Sequence, residues 1–201
     1  LNFLKNFFGE KYVLGGAAHI AAMLTPDGTI NQLNPIQILT IGDLNKYTSL
    51  ISKEFEEICK PAGFSVIHSQ TIEQAMWDKW TFLATLASST ILFRNTVGAI
   101  TESKLGSDLM LRIYDECLIV ADAENQKVSD KAKEKGLSIL MKPGSDFTSS
   151  MLRDLLMKKP TEHEQIIGDF ITRAKKNNID VPLLSSAYIN VVAENSKYKI
   201  K

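Results

Sequence analysis

The hydrophobic pattern changes period along the chain. From Tyr12 to Met23 the residues are apolar and Gly/Ala-rich, with no helix-capping signals. Pro26-Asp27-Gly28 follows, where proline presets φ and glycine supplies a positive φ, so a turn is predicted. Thr29 to Leu33 and Ile36 to Ile41 read as two further strands, divided by Asn34-Pro35. Three strands with short connections predict an antiparallel meander, which needs another layer to pack on. From Asp43 onward the period is helical. Tyr47, Leu50, Ile51, Phe55 and Ile58 form one stripe, stopped by Pro61-Ala62-Gly63. Phe64 to Ile67 is a short extended stretch. Long helices are predicted from about Thr71 to Leu92 and from about Ser107 into the 120s, and residues 127–146 are mixed. Thr161-Glu162-His163-Glu164 has the Thr-x-x-Glu form of a capping box, with Ile166, Ile167, Phe170, Ile171 and Ala174 as the stripe behind it. Pro182 is predicted to open a last helix carrying Leu183, Leu184, Ala187, Tyr188, Val191 and Val192. The fold class expected is α+β: a β meander over residues 1–43, then a mostly helical domain over 44–201.

Composition narrows the function classes. With 44% hydrophobic residues in 201, the chain can bury a sizeable core. Basic and acidic residues number 23 each, so there is no positive excess of the kind that binds nucleic acid. Cys59 and Cys117 stand far apart in no CxxC pattern, which fits a reducing, cytoplasmic setting rather than a disulfide framework. No apolar run is long enough for a membrane span, and no signal peptide is visible. The chain begins with Leu in a segment running straight toward a strand, so a piece of something longer is expected. His19, His68 and His163 lack metal-ligand spacing, and Gly15-Gly16 and Gly98 form neither a GxGxxG nor a Walker loop.

Three places could carry chemistry. Ile72, Met76, Leu83 and Leu86 lie at −7, −3, +4 and +7 from Lys79, which puts this lysine on the apolar stripe of its helix. Its amine either snorkels to water over its own stem or points into a cleft as a tuned acid or base. Ser150 and Asp154 are four apart and share a helix face; the plain alternative is a serine cap and a solvated acid. Glu162 sits where a helix N-terminus favours a carboxylate, which capping electrostatics alone can explain. Trp77 and Trp80 are expected in the core.

Three segments, in order, resemble ketopantoate reductase (2-dehydropantoate 2-reductase), and the resemblance covers nearly the whole chain. They are VLGGAAHIAAMLTPDGTI with LTIGDL, then MWDKWTFLATLASSTILFRNTVGAI, then TSSMLRDLLMKKPTEHEQIIGDFITRAKKNNIDVP. The resemblance implies that residues 1–43 are the last strands of a dinucleotide-binding domain and that residues 44–201 form the catalytic and substrate domain. It implies Lys79 as the general acid that protonates the ketone oxygen as hydride arrives from NADPH. Glu162 would orient the substrate hydroxyl and the nicotinamide ribose, and Ser150 and Asp154 would help hold a small-molecule 2-keto acid. At four and eight residues after the lysine the family often carries Asn, whereas this chain has Leu83 and Ala87. That departure leaves room for a related reductase of another 2-keto acid. A helical dimerisation module without catalysis is the alternative from a different class. With no Gly-rich phosphate turn, these residues alone are expected to be inactive and to bind NADP weakly. The open strand edge is expected to be covered by self-association, in the simplest case as a homodimer.

Overall fold

The computed structural model describes residues 1–45 and 49–197. It divides into two compact units, Leu1–Met76 and Trp77–Lys201. The α+β class holds, with the strands preceding most of the helices. The units part after Met76, so strand and helix segments beyond residue 43 belong with the sheet.

The first unit opens with helix α1 (Asn2–Phe8), in a segment expected to run straight toward a strand. Strands β1 (Gly15–Leu24) and β2 (Ile30–Gly42) form an antiparallel hairpin around the expected Pro26-Asp27-Gly28 turn. The strand assignment differs from the expected meander: the two segments on either side of Asn34-Pro35 are one long strand. Pairing jumps from Ile20↔Gln37 to Ala22↔Gln32, so Leu33 to Ile36 stand opposite Ala21 alone. Inside this bulge the Ile36 amide donates to Asn34 Oδ1 at 3.0 Å, and Pro35 is not asked for a ladder bond. The third strand is β3 (Ser65–Ser69), parallel to β2. A parallel pair needs a crossover, and helix α2 (Ser49–Cys59) supplies it. Tyr47, assigned to this helix from the sequence, lies outside the described residues. Gly15 and Gly42 face each other across β1 and β2, and a Cβ on Gly42 would sit 2.3 Å from Ser69 O and 2.7 Å from Ile72 Cβ. These glycines admit the fully buried Ile72 rather than a phosphate.

The second unit is built around α3 (Ile72–Phe93), whose residues from 84 to 91 are all buried. Ala84, Ala87 and Ile91 join a core with α5 (Lys104–Ala123), α7 (Ser150–Leu156), α8 (Asp169–Lys176) and α9 (Pro182–Lys197). Leu86 joins a smaller cluster with residues of α4 (Val97–Thr101), α5 and α6 (Asp130–Leu140). A helix apolar on every side suits this central place. Buried hydroxyls on α3 mostly turn back on its own carbonyls: Thr85 to Thr81, Ser89 to Thr85 and Thr90 to Leu86. Ser103, Ser129 and Ser149 cap α5, α6 and α7 by accepting from the amide three residues on. Ser103 starts α5 a turn earlier than expected. Helix α9 does begin at Pro182, and Glu116 of α5 takes its next two amides, Leu183 at 3.0 Å and Leu184 at 2.9 Å.

Glu124, just past the end of α5, ties that helix to α8. Its carboxylate accepts from Asn177 at 2.7 Å and pairs with Arg173. The Asn177 hydrogen bond leads the lowering of its pKa, with Arg173 adding to it against an opposing effect of burial. A depressed carboxylate pKa stabilises the fold above its unfolded value, and that stability is lost as pH falls through the folded value. Glu124→Gln is therefore expected to lower the melting temperature at neutral pH, with the gap to wild type closing in acid. Melting curves from pH 7 to pH 3 check this; an unchanging gap would show that ionisation of Glu124 contributes nothing.

Candidate active site

Lys79 lies in the first third of α3, half-buried, and burial holds its ammonium pKa below the ordinary lysine value. Its neighbours fix this stretch of helix. Asp78 accepts from the Ser129 amide at 3.2 Å and the Ser129 hydroxyl at 2.9 Å. The Trp80 indole N–H donates to the Ile166 carbonyl at 3.1 Å. Trp77 and Trp80 pack against the fully buried Phe170, with ring centres 5.9 and 4.0 Å from it. The Arg173 guanidinium lies over both indoles, at 5.2 and 5.5 Å. Both tryptophans are thus packed against the core as expected, and they immobilise the backbone on either side of the lysine.

In the Ser149-Ser150 pair the roles divide. Ser149 is buried; besides capping α7, its hydroxyl lies 2.8 Å from that of Thr90 on α3. Ser150 is exposed and Asp154, one turn later, is half-buried. Neither side chain has a hydrogen bond or ion pair among the described residues. The loop before α7 is held by α4, where the Val97 and Gly98 amides donate to Phe147 O at 2.9 Å and Ser145 O at 2.8 Å.

The expected capping box at Thr161 does not form. The helix instead starts at His163 and opens with a π-helical turn, Glu164–Gly168, with no side-chain cap. Thr161 Oγ1 engages His163 Nδ1 at 2.9 Å and caps no amide of the helix. Glu164, the fourth residue of the presumed box, accepts from the Tyr188 hydroxyl at 2.6 Å. Both groups found side-chain partners in place of the backbone amides a box would satisfy. The Glu162 carbonyl accepts from the Ile166 amide at 3.0 Å, while its carboxylate is exposed and unpartnered among the described residues.

Helix α3 bears Lys79, and two ties to it carry the other three candidate residues. Trp80, next to Lys79, holds the turn that begins at Glu162; Thr90 holds the start of α7 with Ser150 and Asp154. Ten residues of helix separate the two ties, about 15 Å. Of the two ties, the one to the Glu162 turn is made by the residue next to Lys79 in sequence.

Residues 71–193 match the family described as ketopantoate reductase PanE/ApbA C terminal. The chain belongs to that family. All four candidate residues fall inside the matched segment. An uncharacterized oxidoreductase of Bacillus subtilis is 27% identical over 184 residues, covering 92% of this chain and 61% of that protein. A 2-dehydropantoate 2-reductase of Halobacterium salinarum is 30% identical over 122 residues, covering 61% of this chain and 40% of that protein. A D-mandelate dehydrogenase solved with NADH and anilino(oxo)acetate superposes with a TM-score of 0.86 at 16% identity, over 98% of this chain and 65% of that one. That likeness establishes the fold. The chain thus spans less than two thirds of each of these relatives, and the family is one of oxidoreductases.

The ketopantoate reductase pattern marked Lys79, Ser150, Asp154 and Glu162, but not the groups that seat them. Thr90 and Trp80 act through contacts 59 and 86 positions apart in sequence. The family's Asn position at Ala87 is a closed core site here, 2% exposed, while Leu83 is partly exposed.

Proposed function

We propose that this chain is the C-terminal catalytic part of an NADPH-dependent 2-keto acid reductase that converts 2-dehydropantoate to pantoate, a step of pantothenate biosynthesis. The observation that carries the reading is Lys79: a half-buried ammonium with a lowered pKa, next in sequence to Trp80, whose indole bonds the turn that follows an unpartnered Glu162. A ketone gains alkoxide character as hydride arrives, and an ammonium at that oxygen stabilises the charge and gives up its proton. A lowered pKa brings the amine closer to the proton affinity useful near neutral pH. Bound NADPH supplies the hydride. Glu162 fits a cofactor and substrate role, because its exposed carboxylate has acceptor capacity for a ribose or substrate hydroxyl. The pyrophosphate would be held outside these 201 residues, which carry no GxGxxG motif. Ser150 and Asp154 hold the substrate from α7.

Leu83 favours a second reading of the same chemistry. An apolar side chain one turn from Lys79 offers no hydrogen bond to a hydroxylated substrate, so a different 2-keto acid fits that position. The full-length protein is the reagent for both. Steady-state rates on 2-dehydropantoate and on aliphatic and aromatic 2-keto acids, with NADPH and with NADH, decide between them. Glu162→Gln is expected to raise KM for cofactor or substrate by about tenfold, the worth of one charge-assisted hydrogen bond. No reduction of any 2-keto acid would leave a non-catalytic dimerisation module as the better reading. No helix among the described residues is long and apolar enough to cross a membrane.

A further inference from the structure

The candidate carboxylate Glu162 lies between two residues that hold each other. His163 Nδ1 is 2.9 Å from the Thr161 hydroxyl and 3.2 Å from the Thr161 carbonyl oxygen. The ring's other nitrogen, Nε2, lies 3.6 Å from Glu164 Oε1, the same oxygen that accepts from Tyr188 of α9. The His163 and Tyr188 rings stand 5.7 Å apart. Gly168 leaves room for this grouping, since a Cβ there would come within 2.9 Å of Glu164 Oε2 and 3.2 Å of Tyr188 Cε2. The shorter of the two contacts is the one to the hydroxyl: Thr161 donates it to a bare Nδ1, so the clasp depends on the Thr161 side chain.

We infer that the Thr161–His163 clasp, anchored on α9 through Glu164 and Tyr188, is a positioning device that presents Glu162 to the ligands of the active site. Closing residue 161 onto residue 163 forces the side chain between them outward, and the hydrogen bond from the Ile166 amide to the Glu162 carbonyl fixes that residue from the other side. Ile166 in turn receives the Trp80 indole, so the clasp and Lys79 share one support. His163 touches no ligand in this scheme. Its work is to remove freedom that Glu162 would otherwise lose on binding.

The inference rests on the proposed role of Glu162, and the test separates the two. In the full-length protein, Thr161→Val and His163→Ala are expected to weaken NADPH binding by calorimetry and lower kcat/KM, each about tenfold. Thr161→Ser keeps the hydroxyl and is expected to behave as wild type. Backbone ¹⁵N relaxation without ligand is expected to show residues 161–164 ordered in wild type and Thr161→Ser, and mobile in Thr161→Val. Glu162→Gln is measured alongside. If Glu162→Gln weakens binding or catalysis while Thr161→Val and His163→Ala match wild type, the clasp is wrong and the role of Glu162 stands. If Glu162→Gln changes neither binding nor kinetics, the role of Glu162 falls. An unchanged order of residues 161–164 in Thr161→Val overturns the clasp by itself, independently of any activity.

Discussion

Replacing Lys79 by alanine in the full-length protein is expected to lower kcat by about 10²- to 10⁴-fold, the usual range for a lost general acid. KM should move little, because the proton is delivered in the transition state. Stability should hold or rise. Burial lowers the folded pKa of Lys79, so the unfolded state binds more protons than the folded one between that lowered value and the ordinary lysine range. The cost of burying the charge is present throughout the pH range below the lowered value. It is relieved as pH rises toward the ordinary value, and the alanine variant never bears it. Over the same alkaline range, kcat of the wild type should fall as the ammonium is lost. A snorkelling lysine gives the opposite pair of results: near-normal turnover, with a lower melting temperature from lost packing of its stem. Measuring kcat and melting temperature on one variant distinguishes these outcomes.

Gly98→Ala is expected to damage the second unit from α4, past the end of α3 and 19 positions on from Lys79 in sequence. A Cβ at residue 98 would lie 2.3 Å from the Ser145 amide nitrogen and 2.7 Å from the Gly144 carbonyl carbon. Both are backbone atoms, so no side chain can swing aside. The loop must retreat, and the bonds from the Val97 and Gly98 amides to Phe147 and Ser145 are strained with it. Overpacking of this kind costs about 1–3 kcal/mol. In a chain of this length that corresponds to a fall of roughly 2–12 °C in melting temperature. The same loop leads into the Ser149 cap of α7, so KM for the keto acid should rise through displacement of Ser150. Asp146→Ala, an exposed change in the same loop, serves as the control and should leave both unchanged. A wild-type melting curve for Gly98→Ala would show the loop to be more yielding than its contacts imply.

The long helices were legible because their apolar positions and end signals are local. Helices α3 and α9 fall close to their predicted spans, and Ile167, Phe170 and Ala174 are all fully buried on the expected stripe. The errors lie where distant partners decide. Asn34-Pro35 resembles a strand break, but a bulge opposite Ala21 carries the strand through it. Phe64 to Ile67 hinted at β3, yet its pairing with β2 depends on a crossover that no short pattern reveals. Helix α6 hid in a lysine-rich stretch whose buried face is little more than Gly136 and Leu140. Thr161 and Glu164 satisfied a capping motif, but His163 and Tyr188 offered them closer partners. Gly98 looked idle without a phosphate fingerprint, because nothing in its neighbourhood of sequence names the loop that passes over it. The candidate site was legible through the family's spacing, while its supports were not.

Trp77 and Trp80 are the two tryptophans of the chain, and both belong to the second unit, on either side of Lys79. Their placement makes the protein its own optical probe. Within these 201 residues, emission excited near 295 nm arises from the two side chains that flank Lys79 in the helix. Loss of that signal in denaturant follows the opening of the Phe170 cluster and is blind to fraying of the sheet. Far-ultraviolet dichroism records both units together. A lag between the two curves would therefore count the cooperative units of the chain without a label or an added reporter.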